Sequence, residues 1–128
     1  MVILNLTQHI ATTEQISAGV RDLPPEVRKQ LSELLTFDVL PSHEEIVGRA
    51  IRIAELADMA AQALEAGEAM IGGAPYLMAP LEGALHYRGI ASVYAFSVRT
   101  SAEVVQPDGT VRKVAEFRHV GFVPACGS

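Results

Sequence analysis

The segment best suited to bind a ligand is the glycine turn Gly72-Gly73-Ala74-Pro75. Gly72 and Gly73 allow the backbone to approach a ligand closely, and Pro75 suits the first position of a helix, which makes Ala74 the N-cap. Because alanine has no side-chain oxygen for the free amides of a helix N-terminus, an anion could take that place. The alternative is a tight turn with solvated amides, since the sequence fits neither the dinucleotide-binding motif nor the P-loop.

Side chains that could move a proton or hold a charge lie near both ends of the chain. His9 follows the first apolar segment, and His119 lies within the sequence Phe-Arg-His-Val-Gly-Phe. Arg99 lies near the end of another apolar segment, beside Ser97. Histidine suits general acid–base chemistry, and arginine suits phosphate. The alternatives are a half-buried core histidine at position 119 and a solvated arginine at position 99.

Composition limits the class of protein. The chain has 128 residues, of which 49% are hydrophobic and 20% charged, so we expect one globular domain over residues 1–128. The one cysteine, Cys126, can form neither an internal disulfide nor a cysteine-based metal cluster, and we expect no metal and no cofactor. No apolar run approaches the ~18 residues of a membrane span and no secretory signal is evident, so we expect a cytoplasmic protein without a membrane partner.

The charge distribution points to a small anion as the ligand. The net charge of −5 argues against a long nucleic acid as partner. Residues 1–87 carry five basic and twelve acidic side chains, a net of −7, whereas residues 88–128 carry five basic and three acidic ones, a net of +2. With no Trp and only seven Phe and Tyr residues, the chain has few platforms for stacking a long single strand.

Strand and helix patterns alternate along the chain. Strands are predicted at residues 2–6, 36–40, 69–71 and 92–98, and a hairpin at 102–123 around Pro107-Asp108-Gly109. Helices are predicted after the capping box that starts at Thr12, after Pro24, after the capping box that starts at Ser42, and after Pro75. The helix after Ser42 is predicted to end at Gly67. This order predicts an α/β fold, a Rossmann-like domain with a mostly parallel sheet and a C-terminal antiparallel β-hairpin.

Ligands of such sheets bind beyond the carboxyl ends of the strands, where the connections diverge to opposite faces. Three predicted junctions lie there, at residues 7–13, 72–75 and 97–101. Thr12 and Ser97 therefore join Gly72, Gly73 and Ala74 as candidate ligand-binding residues.

The long helix predicted after Ser42 has an apolar stripe. The stripe consists of Ile46, Ala50, Ile53, Ala57, Ala60 and Leu64. It either packs against the sheet, which is the commoner use of such a face, or forms a dimer seam.

Three ordered motifs resemble a known family. They are the strand with its glycine turn, the segment Tyr94-Ala95-Phe96-Ser97-Val98-Arg99, and the hairpin that closes on Phe117-Arg118-His119-Val120-Gly121-Phe122. Together with the His, Thr and Gln pattern of residues 7–15, they are similar to the small CRISPR-associated proteins of the Csx type, in the ring-nuclease and CARF-related group.

The resemblance implies a Rossmann-like homodimer that binds a cyclic oligoadenylate and cleaves it without a metal, by attack of a ribose 2′-hydroxyl on the neighbouring phosphate. In that reaction Gly72 and Gly73 would hold phosphate, Arg99 would stabilise the developing charge, and His9 or His119 would move a proton. Two alternatives stay open: a protein that sequesters the nucleotide without turnover, and a helix-mediated interaction domain with no small ligand.

Overall fold

The chain forms five strands and four helices within residues 1–125, the part that the computed structural model describes. The elements follow in the order β1 (Ile3–Asn5), α1 (Thr13–Ser17), β2 (Val20–Asp22), α2 (Pro25–Leu35), α3 (His43–Leu64), β3 (Glu68–Met70), α4 (Pro75–Tyr87), β4 (Ala91–Val105) and β5 (Val111–Pro124). The expectations for Cys126 concern a residue outside the described part.

All five strands belong to one sheet, in the order β2-β1-β3-β4-β5. The pairs β1/β2, β1/β3 and β3/β4 are parallel, and β4/β5 is antiparallel. The predicted α/β class, the parallel neighbours and the C-terminal hairpin are thereby confirmed. This strand order is that of a doubly wound fold, and its topological switch point lies between β1 and β3.

Alternate side chains of each strand pack on opposite faces of the sheet. Leu4 and Ala69 point to the face covered by α2, α3 and α4, where most of the buried apolar residues form one cluster. Ile3 and Met70 point to the other face, in a smaller cluster with Ala11 from the connection after β1. The connections that follow β1 and β3 therefore leave on opposite faces.

The apolar stripe of α3 packs inside the molecule. Ala50, Ile53 and Ala57 are buried in the larger core cluster. These positions are consequently not free to form a dimer seam. No helix among the described residues is long and apolar enough to cross a membrane.

The strands β4 and β5 form a ribbon much longer than the rest of the sheet. Only Ala91–Val93 of β4 pair with β3, whereas the pairing with β5 continues to Val105 opposite Val111. A register shift at Phe96/Ser97 interrupts this pairing once. The ribbon of residues 95–123, called the arm below, closes in a turn where the Asp108 carboxylate accepts hydrogen bonds from the Thr110 amide and hydroxyl at 3.0 and 2.6 Å.

Two strand predictions are wrong. Residues 36–40 form a loop in which Leu40 is 97% exposed, because this apolar run precedes Pro41 and meets no free sheet edge. The sheet instead takes β2, whose three residues are too few to show a period. In addition, β4 runs through residues 97–101 without a break, so the predicted junction there is part of a strand.

Two helix boundaries also have local causes. The helix α3 ends at Leu64, three residues before the predicted end at Gly67. Glu65 caps it in the left-handed conformation, with φ 53°, which a glycine usually adopts at the end of a helix. The helix α4 begins at Pro75 and continues through Pro80. Since Pro80 has no amide hydrogen, this helix lacks one of its internal hydrogen bonds.

Candidate functional site

A cleft of about 540 Å³ lies at the carboxyl ends of β1 and β3, at the switch point of the sheet, and reaches β4 four to five residues into that strand. Its lining comes from the connection after β1, from the glycine turn and from two residues of β4: Thr7, Gln8, His9, Ile10, Thr12, Gln15, Met70, Ile71, Gly72, Gly73, Tyr94 and Ala95. Two of the three predicted junctions thus meet in one cavity, as the carboxyl-end rule requires.

The loop after β1 is fixed by a buried asparagine. Asn5 is 2% exposed, and its amide donates hydrogen bonds to the His9 carbonyl and to the Asp22 carboxylate, both at 2.7 Å. Its side-chain oxygen accepts hydrogen bonds from the backbone amide of Thr7 at 3.0 Å and from the Thr7 hydroxyl at 2.7 Å. The same Asp22 oxygen accepts the Ala11 amide at 3.0 Å. These bonds hold one wall of the cleft in place.

The far end of this loop is closed by a capping box. The Thr12 hydroxyl oxygen accepts the Gln15 amide at 3.1 Å, and the Gln15 side chain accepts the Thr12 amide at 3.0 Å. A threonine hydroxyl has one hydrogen to donate as well as its acceptor sites. Thr12 can therefore cap α1 and still donate a hydrogen bond into the cleft.

The glycine turn forms the opposite wall and leads into α4. Ala74 is the N-cap as predicted, and no side chain caps the amides of the first turn. Gly73 has φ +144°, a value that favours glycine, and a side chain there would point toward Met78 and Leu35. A side chain at Gly72 would instead contact the Thr7 methyl group at 3.5 Å. Gly72 is therefore the position from which a larger side chain would narrow the cleft.

The cleft has little formal charge. None of the described residues that line it is a lysine or an arginine. Tyr94 donates a hydrogen bond to the Glu82 carboxylate at 2.5 Å, and burial, this bond and the negative charge of Glu82 raise the pKa of Tyr94 to about 12. Its hydroxyl therefore stays protonated at neutral pH.

The structure places the other three predicted residues on the arm. Ser97 pairs across the ribbon with His119, whose ring packs on Phe122 with the centroids 4.8 Å apart. The His119 Nδ1 atom is buried without a hydrogen-bond partner among the described residues. Arg99 lies beside Lys113 along a separate groove of about 430 Å³. His9, Thr12, Gly72 and Gly73 thus line one cleft, Ala74 adjoins it, and Ser97, Arg99 and His119 lie outside it.

A basic groove adjoins the cleft. It has a volume of about 320 Å³, shares Thr7 and Gln8 with the cleft, and includes Arg28 and Lys29 of α2. Gln8 also donates a hydrogen bond to the Thr36 hydroxyl at 2.8 Å, which joins the shared wall to the end of α2. The positive charges nearest to the cleft on this side therefore come from α2.

Metal coordination has no visible basis in the described part of the chain. Residues 1–125 contain no group of three or more His, Cys, Asp or Glu side chains placed to hold an ion. The polar groups of the cleft are hydroxyls, amides and the His9 ring, which suit hydrogen bonding to a ligand.

Sequence comparison gives the family. Residues 1–123 match the Uncharacterized protein MJ1673 family. The chain belongs to this family. The matched region of this MJ1673-family protein includes both the cleft and the arm. Searches among curated proteins and among solved structures each found no match.

Sequence reasoning missed two sets of residues near the cleft. Asn5 lies in an otherwise apolar strand, and a buried asparagine needs partners, so its network had a visible signal. The Asp22 carboxylate, which fixes the loop after β1, gave no signal of this role in the sequence. Arg28 and Lys29 are ordinary helix residues by sequence, and no local pattern shows that α2 turns them toward Gln8.

Proposed function

We propose that this MJ1673-family protein binds a cyclic oligoadenylate, or a related nucleotide, in the cleft and cleaves it without a metal. The observation that carries the proposal is the glycine turn, because Gly72 and Gly73 line the cleft and lead into a helix N-terminus without a side-chain cap. In that first turn Pro75 has no amide hydrogen and the Leu77 amide donates to the Ala74 carbonyl at 3.0 Å, so the Tyr76 amide is the one left for a ligand. Backbone amides in such a turn form hydrogen bonds to a phosphate.

The walls of the cleft suit the parts of a nucleotide. The loop after β1 offers the hydroxyls and amides of Thr7, Gln8 and Thr12, and Ala95 of β4 offers apolar surface. Phosphate would lie at the glycine turn, ribose against the loop and a base against the apolar surface. An inorganic anion would leave the apolar side without a partner.

The lack of lysine and arginine in the lining favours a phosphodiester over a nucleoside triphosphate. Each phosphodiester carries one negative charge, which a set of neutral donors can hold. A triphosphate carries several adjacent charges and is typically bound with a lysine, an arginine or a metal ion.

The reaction would proceed by internal transfer. The ribose 2′-oxygen forms a bond to the adjacent phosphorus, the bond from phosphorus to the 5′-oxygen breaks, and a 2′,3′-cyclic phosphate and a 5′-hydroxyl result. His9 takes the proton from the 2′-hydroxyl, and the departing 5′-oxygen takes a proton from water. Backbone amides of the glycine turn and the Tyr76 amide hold the phosphate and stabilise its developing charge.

We also propose that the protein is cytoplasmic, that it is a homodimer, and that it is related to the Csx-type proteins. Ser97, Arg99 and His119 lie on the arm, so the chemistry proposed for one chain rests on His9 and the glycine turn. A sequestering protein without turnover is the second candidate, because neutral donors and one histidine suffice for binding.

Calorimetric titration with cyclic oligoadenylates of several ring sizes, followed by chromatography of the products, tests the proposal. Binding with formation of 2′,3′-cyclic phosphate ends supports the enzyme, and binding without products supports the sequestering protein. For His9→Ala we expect retained binding and turnover lowered by about 10² to 10⁴-fold. The absence of binding to every ring size contradicts both candidates.

Gly72→Val tests the place of binding. Its methyl groups should narrow the cleft next to Thr7 and weaken binding at least about tenfold, or ~1.4 kcal/mol. The matched control is Gly67→Val, where a side chain meets nothing within 4 Å at the amino end of β3. Equal affinities of two folded variants would place the ligand elsewhere.

A further inference from the structure

The arm exposes apolar side chains that nothing in the described chain covers. Phe117 on β5 and Val105 on β4 are each 72% exposed. Further large apolar residues of the arm are at least 40% exposed: Phe96, Val98, Val104, Val111, Val120 and Val123. They lie on both strands and on both faces of the ribbon, so folding of one chain leaves an extended apolar surface in water.

The arm also ends in a free sheet edge. All 14 residues of β5 except Val120, which the register shift leaves without a partner, pair with β4 on one side. The described chain provides no strand for the other side. Beyond Ala95 the ribbon extends for ten residues of β4, or about 34 Å. A two-stranded ribbon of this kind is marginally stable in water by itself, and a long free edge is a template for another strand.

We propose that a second copy of this chain occupies the free edge of the arm, by pairing its own β5 antiparallel to β5 about a two-fold axis at Phe117. The two five-stranded sheets then become one continuous sheet of ten strands. A two-fold interface must be self-complementary, so the sequence of β5 has to match its own reverse.

The sequence around Phe117 meets this requirement. With Phe117 opposite Phe117 of the second copy, Glu116 of each copy lies opposite Arg118 of the other. Ala115 likewise lies opposite His119, which is the last residue of β5 before the bulge at Val120. Aromatic pairs and pairs of opposite charge directly across two strands both stabilise a sheet.

The registers with the axis at Ala115, Glu116 or Arg118 are less favourable. An axis at Ala115 places Arg112 opposite Arg118, an axis at Glu116 places that carboxylate opposite itself, and an axis at Arg118 places two guanidinium groups together. Like charges directly across two strands destabilise the pairing. The charge pattern therefore selects the axis at Phe117 over these alternatives.

Pairing at the edge joins the two copies in two ways. The free N–H and C=O groups of the two β5 strands form backbone hydrogen bonds with each other, and side chains directly across the axis form pairs. The two faces of the ribbon stay outside this interface. This proposal is independent of the nucleotide proposed above.

Charge exchange tests the register, with sedimentation equilibrium as the measurement. We expect the parent to be a dimer and Arg118→Glu or Glu116→Arg to raise the dimer Kd at least about tenfold, because each change creates two like-charge pairs. An equimolar mixture of the two variants should form heterodimers, and Glu116→Arg with Arg118→Glu in one chain should restore the homodimer. Arg52→Glu, an exposed charge reversal on α3, is the matched control.

Cross-linking tests the axis itself. In a Cys126→Ser background, Phe117→Cys should oxidise to a covalent dimer, because only a residue on the axis lies opposite itself. Ala115→Cys, two residues away on β5, should form far less covalent dimer. The proposal is overturned by a parent that stays monomeric at its highest soluble concentration, by variants that dimerise as the parent does, or by a mixture without heterodimers.

Discussion

The cleft and the arm are stabilised in different ways. The cleft lies on β1 and β3, strands of three residues each that are buried or nearly so. The loop after β1 is held by Asn5. The arm is built from the exposed parts of β4 and β5, strands of 15 and 14 residues. A short strand suffices where both faces are covered, whereas the proposed second copy would pair with the long ribbon from outside its own chain. Changes at the cleft should therefore act within one chain, and changes on the arm should act between chains.

The largest effect is expected from Asn5→Ala. Loss of this side chain leaves the Thr7 amide without a partner and removes one of the two hydrogen bonds that the His9 carbonyl and the Asp22 carboxylate each accept. It should lower the free energy of unfolding by about 2–3 kcal/mol. Urea unfolding measures the change. Ser101→Ala, an exposed substitution on the arm, should stay within about 0.5 kcal/mol. Similar losses for both variants would remove the distinction between the two regions.

An intermediate effect, dependent on pH, is expected at Tyr94. Burial and the hydrogen bond to Glu82 favour the protonated phenol in the folded state. They raise the pKa of Tyr94 from 10.0 to about 12. The folded state thus binds more protons than the unfolded state in this range, so the stabilisation is complete below pH 10 and is lost as the pH rises toward 12.

Melting temperatures of the parent and of Tyr94→Phe measure this effect. The difference between the two proteins should shrink as the pH rises from 10 to 12, because only the parent loses a proton at this position. Tyr87→Phe is the control, since Tyr87 is 89% exposed. A constant difference across this range would show that the Tyr94 hydroxyl does not couple to the fold.

The smallest effect is expected from Arg99→Ala. Arg99 lies four residues beyond Ala95 along β4, or about 13 Å from the cleft lining. Nucleotide affinity measured by calorimetry should change by less than about twofold. A loss of about 10- to 150-fold, the value of a charge-assisted hydrogen bond, would place the phosphate on the arm and overturn the separation of the two regions.

Much of the fold could be predicted because its signals are local. The capping box at Thr12, the Pro at the start of α2 and of α4, and the turn at Pro107-Asp108-Gly109 each fix a boundary through neighbouring residues. The apolar stripe of α3 likewise shows which side of that helix is buried. These features need no knowledge of the distant chain.

The remainder depends on contacts that the local sequence does not show. β2 is a strand because it pairs with β1, whereas residues 36–40 have a better apolar pattern but pair with no strand. For the site, the glycine turn and His9 could be found from their types and positions. The distance of Arg99 from them could not, since it follows from the continuation of β4 through residues 97–101.

The separation of β1 and β3 along the chain also determines when the cleft can form during folding. Ile3 pairs with Glu68, 65 positions away, whereas the arm closes through residues that are neighbours across one turn. Because closing a long loop costs more entropy than closing a hairpin, we expect the arm to form within microseconds and the β1/β3 pair later. A newly made chain would therefore form the free edge of the arm before it forms the cleft. Binding of the proposed ligand would then show that the β1/β3 pair has formed.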